Sequence, residues 1–385
     1  MRSALARRRS ILLFSATNVL YWSSMYLYVP VLAVHAENLG ASAALVGVVV
    51  GSYGLAQLLL RVPVGVLSDR VGRRKPFILL GIVATGVGAL GLGLSSEPGW
   101  LVVWRCVAGA GAAAWVAFTV LFSSYFPPER VTRAMSEVTF VGGIALILAT
   151  YAGGLIAQAW GWTVPFFVAV AFSILGTFAA LRLEERPVPV RRSLAPRELL
   201  RIGTVPLLVT VSGVTMLSTW AQWSSVNGFS LIYAARLGAD RAELGLLTTL
   251  AQAAHTAGTL LSAYMGERIG IRSTIVLALI VQASGTFVVP WLDSVGLVAV
   301  SQAVGGAGRG LSYPLLMGLS IRSVAPADRA TAMGVFQAVY ALGMFGGPTA
   351  SGLIGDAFGL PAVFLAAGMV VLAGIPVVLA RVPSK

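Results

Sequence analysis

The sequence predicts an all-α membrane protein with twelve transmembrane helices in two pseudo-symmetric six-helix bundles. Three observations carry this expectation. Mean hydropathy is +0.86, with 57% hydrophobic and 11% charged residues, a balance outside that of soluble globular chains. Apolar runs of about 20 residues recur along the chain, each long enough to cross ~30 Å of hydrocarbon. The second half also repeats the first at a constant interval.

The runs place spans at about 11–34, 42–66, 75–95, 100–124, 136–159, 163–182, 204–232, 242–265, 273–291, 294–320, 330–355 and 361–380. They are read as helices because hydrocarbon offers the backbone no partners and a helix satisfies its own. The basic RSALARRR stretch before the first run has the form of a signal peptide. The run from Ile11 to Ala33 is too long for a signal core and suits a spanning helix. The single cysteine, Cys106, lies within an apolar run and allows no internal disulfide.

Alternate connectors differ in charge. Arg2, Arg7, Arg8 and Arg9 precede the first span. The second connector holds Arg70, Arg73, Arg74 and Lys75, the fourth Arg130 and Arg133, and the sixth a basic stretch from Arg182 to Arg201. Arg268, Arg272, Arg322, Arg329, Arg381 and Lys385 continue the series, whereas the other side holds only Arg236 and Arg241. The positive-inside rule then puts both termini in the cytoplasm, with the chain multi-pass in a plasma (bacterial inner) membrane. The net charge of +13 is spread over these short connectors and builds no basic face, so no nucleic-acid partner is expected.

The repeat is explicit. Ser68-Asp69-Arg70-Val-Gly72-Arg73-Arg74 is echoed by Gly266-Glu267-Arg268-Ile-Gly270-Ile-Arg272, and 267 − 69 = 198. The same interval relates Trp22 to Trp220, Gly47 to Gly245, Gly154 to Gly352 and Phe166 to Phe364. It slips by one between the fourth and tenth spans, where Gly109 answers to Gly306. The expected organisation is residues 1–181 as one bundle, 182–203 as a cytoplasmic linker and 204–385 as the second bundle. Six spans is an even number, so both halves keep one orientation, and a site can form between them at mid-membrane.

The stretch Gly65-Val-Leu-Ser-Asp69-Arg70-Val-Gly72-Arg73-Arg74-Lys75 resembles the signature loop of the major facilitator superfamily. Arg105-Cys-Val-Ala-Gly109-Ala-Gly111-Ala-Ala is similar to that family's fourth-helix motif. The resemblance implies a transporter that works by alternating access, with Gly65, Asp69, Arg70, Gly72, Arg73 and Glu129 as a conformational latch. Gly65 would allow close helix approach, Asp69 would face the N-terminus of the eleventh helix, and Arg73 and Arg74 would bond carboxylates, Glu129 among them. The alternative for these charges is topology alone, which is the expectation for Arg74 and Lys75. The fifth-helix Gly-Pro of many drug–proton antiporters is absent from Ala149-Thr150-Tyr-Ala-Gly153-Gly154. Gly347-Pro348 stands instead in the eleventh span.

Candidate binding residues come from intramembrane charge and from rings. A central charge costs about 2.5–3.5 kcal/mol on insertion scales and faces a cavity or a partner. Arg309 lies deepest, with Gly306, Gly308 and Gly310 expected to give its side chain room; its alternative is a structural bond to backbone carbonyls. The resemblance makes Arg105 a candidate for substrate binding or proton coupling, with packing as the alternative. Arg61 is read as structural, within snorkelling reach of the cytoplasm. Trp22, Tyr26, Trp220, Trp223 and Tyr313 offer ring faces to a ligand or pack as core, and Gln337 and Tyr340 complete the set. The spans hold no mid-depth carboxylate, since Glu37 and Glu137 lie near span ends. His255 is therefore the central titratable group, able to relay protons or to bond a neighbouring helix.

The first functional expectation is a secondary active transporter moving a small amphipathic molecule, by proton-coupled efflux. The alternative is uptake or exchange of a small organic anion, since a positive cavity attracts negative charge. An enzyme is not expected: His35 and His255 lie in different halves with no supporting acid, and no metal spacing appears. The expected partners are a small-molecule substrate, the lipid bilayer and protons, with no cofactor and a monomeric chain.

Overall fold

The computed structural model describes residues 2–127, 130–185, 201–322, 324–325 and 328–383. Among the described residues the following α-helices form twelve rods, and five of the rods pair with a second helix or a short turn where the rod breaks. In chain order these are α1 (Arg2–Tyr26) with α2 (Val29–Asn38), α3 (Ala43–Val71), α4 (Lys75–Leu94) and α5 (Pro98–Ala112) with α6 (Trp115–Ser123). Next come α7 (Val131–Trp160) and α8 (Val164–Leu181), which complete the first six rods. The second six are α9 (Pro206–Ser224) with α10 (Ser230–Arg236), α11 (Arg241–Ile269), α12 (Ile271–Phe287), α13 (Val295–Arg322), α14 (Arg329–Phe358) and α15 (Leu360–Leu372) with α16 (Gly374–Arg381). A 3₁₀ turn, Val289–Trp291, ends the ninth rod.

Eight of these rods are long and apolar enough to cross a membrane by length and composition. The other four are the seventh, eighth, tenth and eleventh, all in the second half. They carry the Ser, Thr, Gln, His255 and Arg309 that line the interior. Large apolar side chains point outward all round, including Phe140, Leu148, Leu260, Val300 and Leu353, as a lipid-facing surface requires.

The repeat survives as geometry. In the first half, rods 1·5, 1·6, 2·4, 3·4 and 3·6 pack together; rods 7·11, 7·12, 8·10, 9·10 and 9·12 pack in the same way in the second. Even the irregularities correspond. The first rod breaks at Leu27-Tyr28, and the seventh widens into a π-helical turn at Ser225–Phe229, with 225 − 27 = 198. Such turns mark functional sites in many helices.

The halves meet through α3 against α14 and α7 against α11. Contact is closest towards the end remote from the termini. A Cβ on Gly47 would lie 2.1 Å from the Pro348 carbonyl oxygen, and one on Gly154 would lie 2.6 Å from the Gly245 Cα. Gly352 sits as tightly on Ala43 (2.4 Å). Only glycine permits backbones to approach this far. The repeat matches Gly47–Gly245 and Gly154–Gly352 are thus the two symmetric halves of one seal. Thr150 and Thr249 share a hydrogen bond across it (2.9 Å), and Arg236 pairs with Glu37 (2.7 Å). One buried core also runs through the seal, joining Tyr28, Val50 and Ala149 to Phe229, Leu244 and Phe364. A second core, around Leu208, Ile275, Phe336 and Val371, belongs to the second half alone.

The end carrying the termini is built differently. Helix α3 runs on through Asp69 and Arg70 to a left-handed cap at Gly72 (φ 67°), so these two charges lie on its last turn. Asp69 accepts a hydrogen bond from Arg74, which also donates to Ser68 and is almost fully buried. The Arg74 backbone N–H donates to Glu185 (2.5 Å), and the Arg73 guanidinium lies 3.9 Å from the same carboxylate. Lys75 donates to the Leu181 and Leu183 carbonyls. Arg74 and Lys75 therefore brace the second connector against the end of the sixth rod, where topology alone was expected. Gly65 also differs from expectation: a Cβ there would make only ordinary contact with Val116 (3.6 Å). Glu129 lies outside the described residues, as does most of the expected 182–203 linker.

Candidate functional site

Three guanidiniums enter the interior from three rods. Arg105 lies seven residues into α5, ~10 Å from the sealed end at ~1.5 Å per residue. Arg309 sits between Val295 and Arg322, ~20 Å from either end of α13. Arg61 lies ten residues before the end of α3, ~15 Å from the terminal end. They form a ladder through the depth of the protein, with both halves contributing.

Each rung has its own ring partners. The Arg105 guanidinium lies 4.4 Å over the Tyr53 ring and 5.6 Å from the centre of Tyr28, and it donates to the Tyr28 hydroxyl (3.1 Å). Tyr53 in turn stacks on Trp223 of the second half (5.4 Å, 17°). Arg309 donates to Thr219 Oγ1 (3.4 Å) and lies 5.6 Å over the Tyr313 ring. Arg61 donates to Gln57 Oε1 (2.7 Å), Gln337 Oε1 (3.2 Å) and the Tyr340 hydroxyl (2.7 Å). Its guanidinium turns to these partners rather than snorkelling to the interface.

Tyrosines tie the rungs together. Tyr26 is within electrostatic reach of both Arg105 and Arg309. Tyr313 is similarly placed between Arg309 and Arg61 and packs edge-on against Tyr340 (6.2 Å, 76°). Tyr53 lies near both Arg105 and Arg61. Among the described residues none of the three guanidiniums has a carboxylate partner, since the ion pairs lie at the ends of the rods. The Nε atoms of all three are buried without a hydrogen-bond partner among the described residues. Buried cations normally pair with acids, because the desolvation cost is otherwise uncompensated.

Trp22 packs against Tyr26 (5.7 Å) and Trp115 (5.2 Å), and its indole N–H is buried without a partner among the described residues. Its repeat mate Trp220 packs instead on the backbone of Gly347, where a Cβ would lie 2.7 Å from the Trp220 Cα. His255 sits beside Arg309, its backbone packed on Gly310, and its Nδ1 is buried without a hydrogen-bond partner among the described residues. The three glycines around Arg309 do not serve its side chain. Gly306 and Gly310 bring α13 against Ala251 and His255 of α11, and Gly308 brings it against Ala278 of α12.

The structure thus brings Arg309, Arg105, Trp22, Tyr26, Trp223, Tyr313, Gln337 and Tyr340 into one connected set. It adds Arg61, Gln57, Tyr28, Tyr53, Thr219 and Trp115, which sequence reasoning did not select. Depth alone could have flagged Arg61, but its Gln337 and Tyr340 partners come from more than 270 residues away.

Twelve rods in two related bundles, eight of them long and apolar enough to cross a membrane, sealed at one end around a charged interior, define a membrane carrier. The Major Facilitator Superfamily profile matches residues 14–223 and again 211–385, and the chain belongs to that family. It is 22% identical to the multi-drug resistance efflux pump PmrA of Streptococcus pneumoniae, over 92% of this chain and 91% of PmrA. A match of 33% identity to the Escherichia coli inner membrane transport protein YajR covers 40% of this chain and 33% of that protein. Among solved structures, the nucleoside transporter NupG superposes with a TM-score of 0.80 at 14% identity, covering 98% of this chain and all of NupG. The human organic anion transporter MFSD10 superposes at 0.68 with 17% identity, over 97% of this chain and 99% of that one. At these identities the superpositions speak for the fold alone.

Proposed function

We propose that the protein is a secondary transporter of small amphipathic organic anions, working by alternating access between bundles 1–181 and 204–385. The observation that carries this is the ladder of Arg61, Arg105 and Arg309, buried among rings with no carboxylate among the described residues to neutralise it. A carboxylate or phosphate substrate supplies the missing charge and can take two parallel N–H bonds from one guanidinium. Trp22, Tyr26 and Trp115 offer flat apolar surface to the rest of the molecule. The asymmetric charge of the connectors puts the termini, and with them the unsealed end, in the cytoplasm. In this reading the chain acts as a monomer and Arg105 or His255 takes part in proton coupling.

Efflux is a second reading of direction, favoured by the likeness to PmrA along nearly the whole chain.

The test is binding and counterflow in proteoliposomes with matched aromatic acids, amides and amines. The acids are expected to bind and exchange. Arg309→Ala should weaken them at least about 30-fold, the ~2 kcal/mol lower bound for removing one partner of a buried charge pair. Equal binding of amides and acids, indifferent to Arg309→Ala, would remove the anion assignment.

A further inference from the structure

Asp356 stands at the last turn of α14, on the sealed end, and is exposed to solvent. Its Oδ1 accepts from the Ala43 backbone N–H (2.8 Å) and its Oδ2 from that of Ala44 (3.1 Å). These are the first two N–H groups of α3, in the other half of the molecule. A helix leaves its first N–H groups unpaired, and its N-terminus carries partial positive charge. The local cap, Ser42, reaches only Leu45 (3.3 Å). Asp356 is therefore a cap supplied across the bundle interface.

The repeat supplies its counterpart. Since 356 − 198 = 158 and 241 − 198 = 43, Gln158 of α7 corresponds to Asp356, and Arg241 of α11 corresponds to Ala43. The Gln158 Oε1 accepts from the Arg241 backbone N–H (3.2 Å). The two caps occupy equivalent places but differ in chemistry. Gln158 is neutral, and α11 already has its own capping box, Asp240 with Glu243. Asp356 is charged and serves two N–H groups that no residue of its own half covers.

We propose that Asp356 is the state-dependent latch of the outer side, a positioning residue for the transport cycle that caps α3 only while the outer side is closed. An interaction made in one state alone shifts the equilibrium towards that state by its full value. Asp69, at the other end of the same helix pair, is meanwhile held by Arg74 within its own half. Helices α3 and α14 thus end in carboxylates that face in opposite directions, and in this state only the outer one reaches across. The proposal rests on alternating access, but on no particular substrate.

The experiment needs no ligand. Spin labels go on exposed Glu97→Cys and Asp293→Cys, on the outer loops of the two halves, in a Cys106→Ser background. A second pair at Arg70→Cys and Arg268→Cys reports the terminal end. Asp356→Ala should raise the outer-open population about 5- to 30-fold, the range for losing a helix cap. Asp356→Asn keeps an acceptor but loses the charge and should raise it about two- to fivefold. Gln158→Ala should change it by less than about twofold, because the capping box remains. If neither Asp356 variant raises the open population, or if Gln158→Ala raises it as much, the latch is overturned. Should Asp356→Ala fail to fold, the Asn variant decides alone. Outer widening without narrowing of the terminal pair would keep the latch but contradict alternating access.

Discussion

The same four helices, α3, α14, α7 and α11, close one end of the molecule and carry little cross-bundle bonding at the other. Near the sealed end they meet backbone to backbone at Gly47, Gly154, Gly245 and Gly352. Towards the terminal end, among the described residues, the side-chain link between these helices is Arg61 with Gln337 and Tyr340. Glycine contacts gain dispersion and release no polar group when they part. The Arg61 bonds are polar and few. The difference teaches that closure at one end rests on backbone shape, with polar links such as Asp356–Ala43 and Arg236–Glu37 at its rim, whereas near the other it rests on the bonds of one buried cation.

Substitutions can break or sharpen that contrast. The largest effect is expected from Gly154→Val. Its Cβ would meet the Gly245 Cα at 2.6 Å and the Arg241 carbonyl oxygen at 2.8 Å, and backbone cannot move aside. A cost of about 3 kcal/mol, the upper range for overpacking, should push the outer label pair to its open distance. Arg61→Ala comes next. It removes two hydrogen bonds that cross between the halves from a charged donor, worth about 2 kcal/mol. The terminal-end distance should widen while the outer one stays closed. Tyr340→Phe keeps the ring under the guanidinium and deletes one acceptor. Its effect, about 1 kcal/mol, should appear as a smaller widening of the same kind. Thr150→Val is the mildest. It removes the bond to Thr249 but leaves the glycine contacts, and should cost about 0.5 kcal/mol with no change in transport rate beyond about twofold.

Much of the scaffold was legible in the sequence. Run length placed most rod ends within five residues, because the thickness of hydrocarbon sets that length, but α1 begins nine residues before the expected 11. The glycines that hold the 198-residue register proved to be the seal, because close backbone approach constrains residue type as strictly as any catalytic role. The break at Leu27-Tyr28 lies just before Pro30, the second residue of α2, a mark that run length passes over, whereas the break at Ala113-Ala114 contains no proline. Nor was the reach of α3 to Val71 marked, where charges had suggested a loop.

The site was legible only in part, and for a reason the repeat makes plain. Its cations stand where the halves differ: Arg61 answers to Thr259 and Arg309 to Ala112, while Arg105 answers to Gln302. Depth in an apolar run flagged Arg309. It could not show that Arg105 is stacked on Tyr53, or that Arg61 reaches Gln337 and Tyr340 in the other half. Those pairings come from tertiary packing, and local pattern holds no record of them.

The central claim is that two bundles rock about a cationic interior and that an organic anion biases the motion. Paired distances at both ends, Glu97–Asp293 and Arg70–Arg268, measured with and without a saturating aromatic carboxylate, test it most directly. The account predicts reciprocal shifts, one distance growing as the other shrinks, and their loss in Arg309→Ala. Shifts of the same sign at both ends, or identical responses in Arg309→Ala and the parent chain, would contradict it.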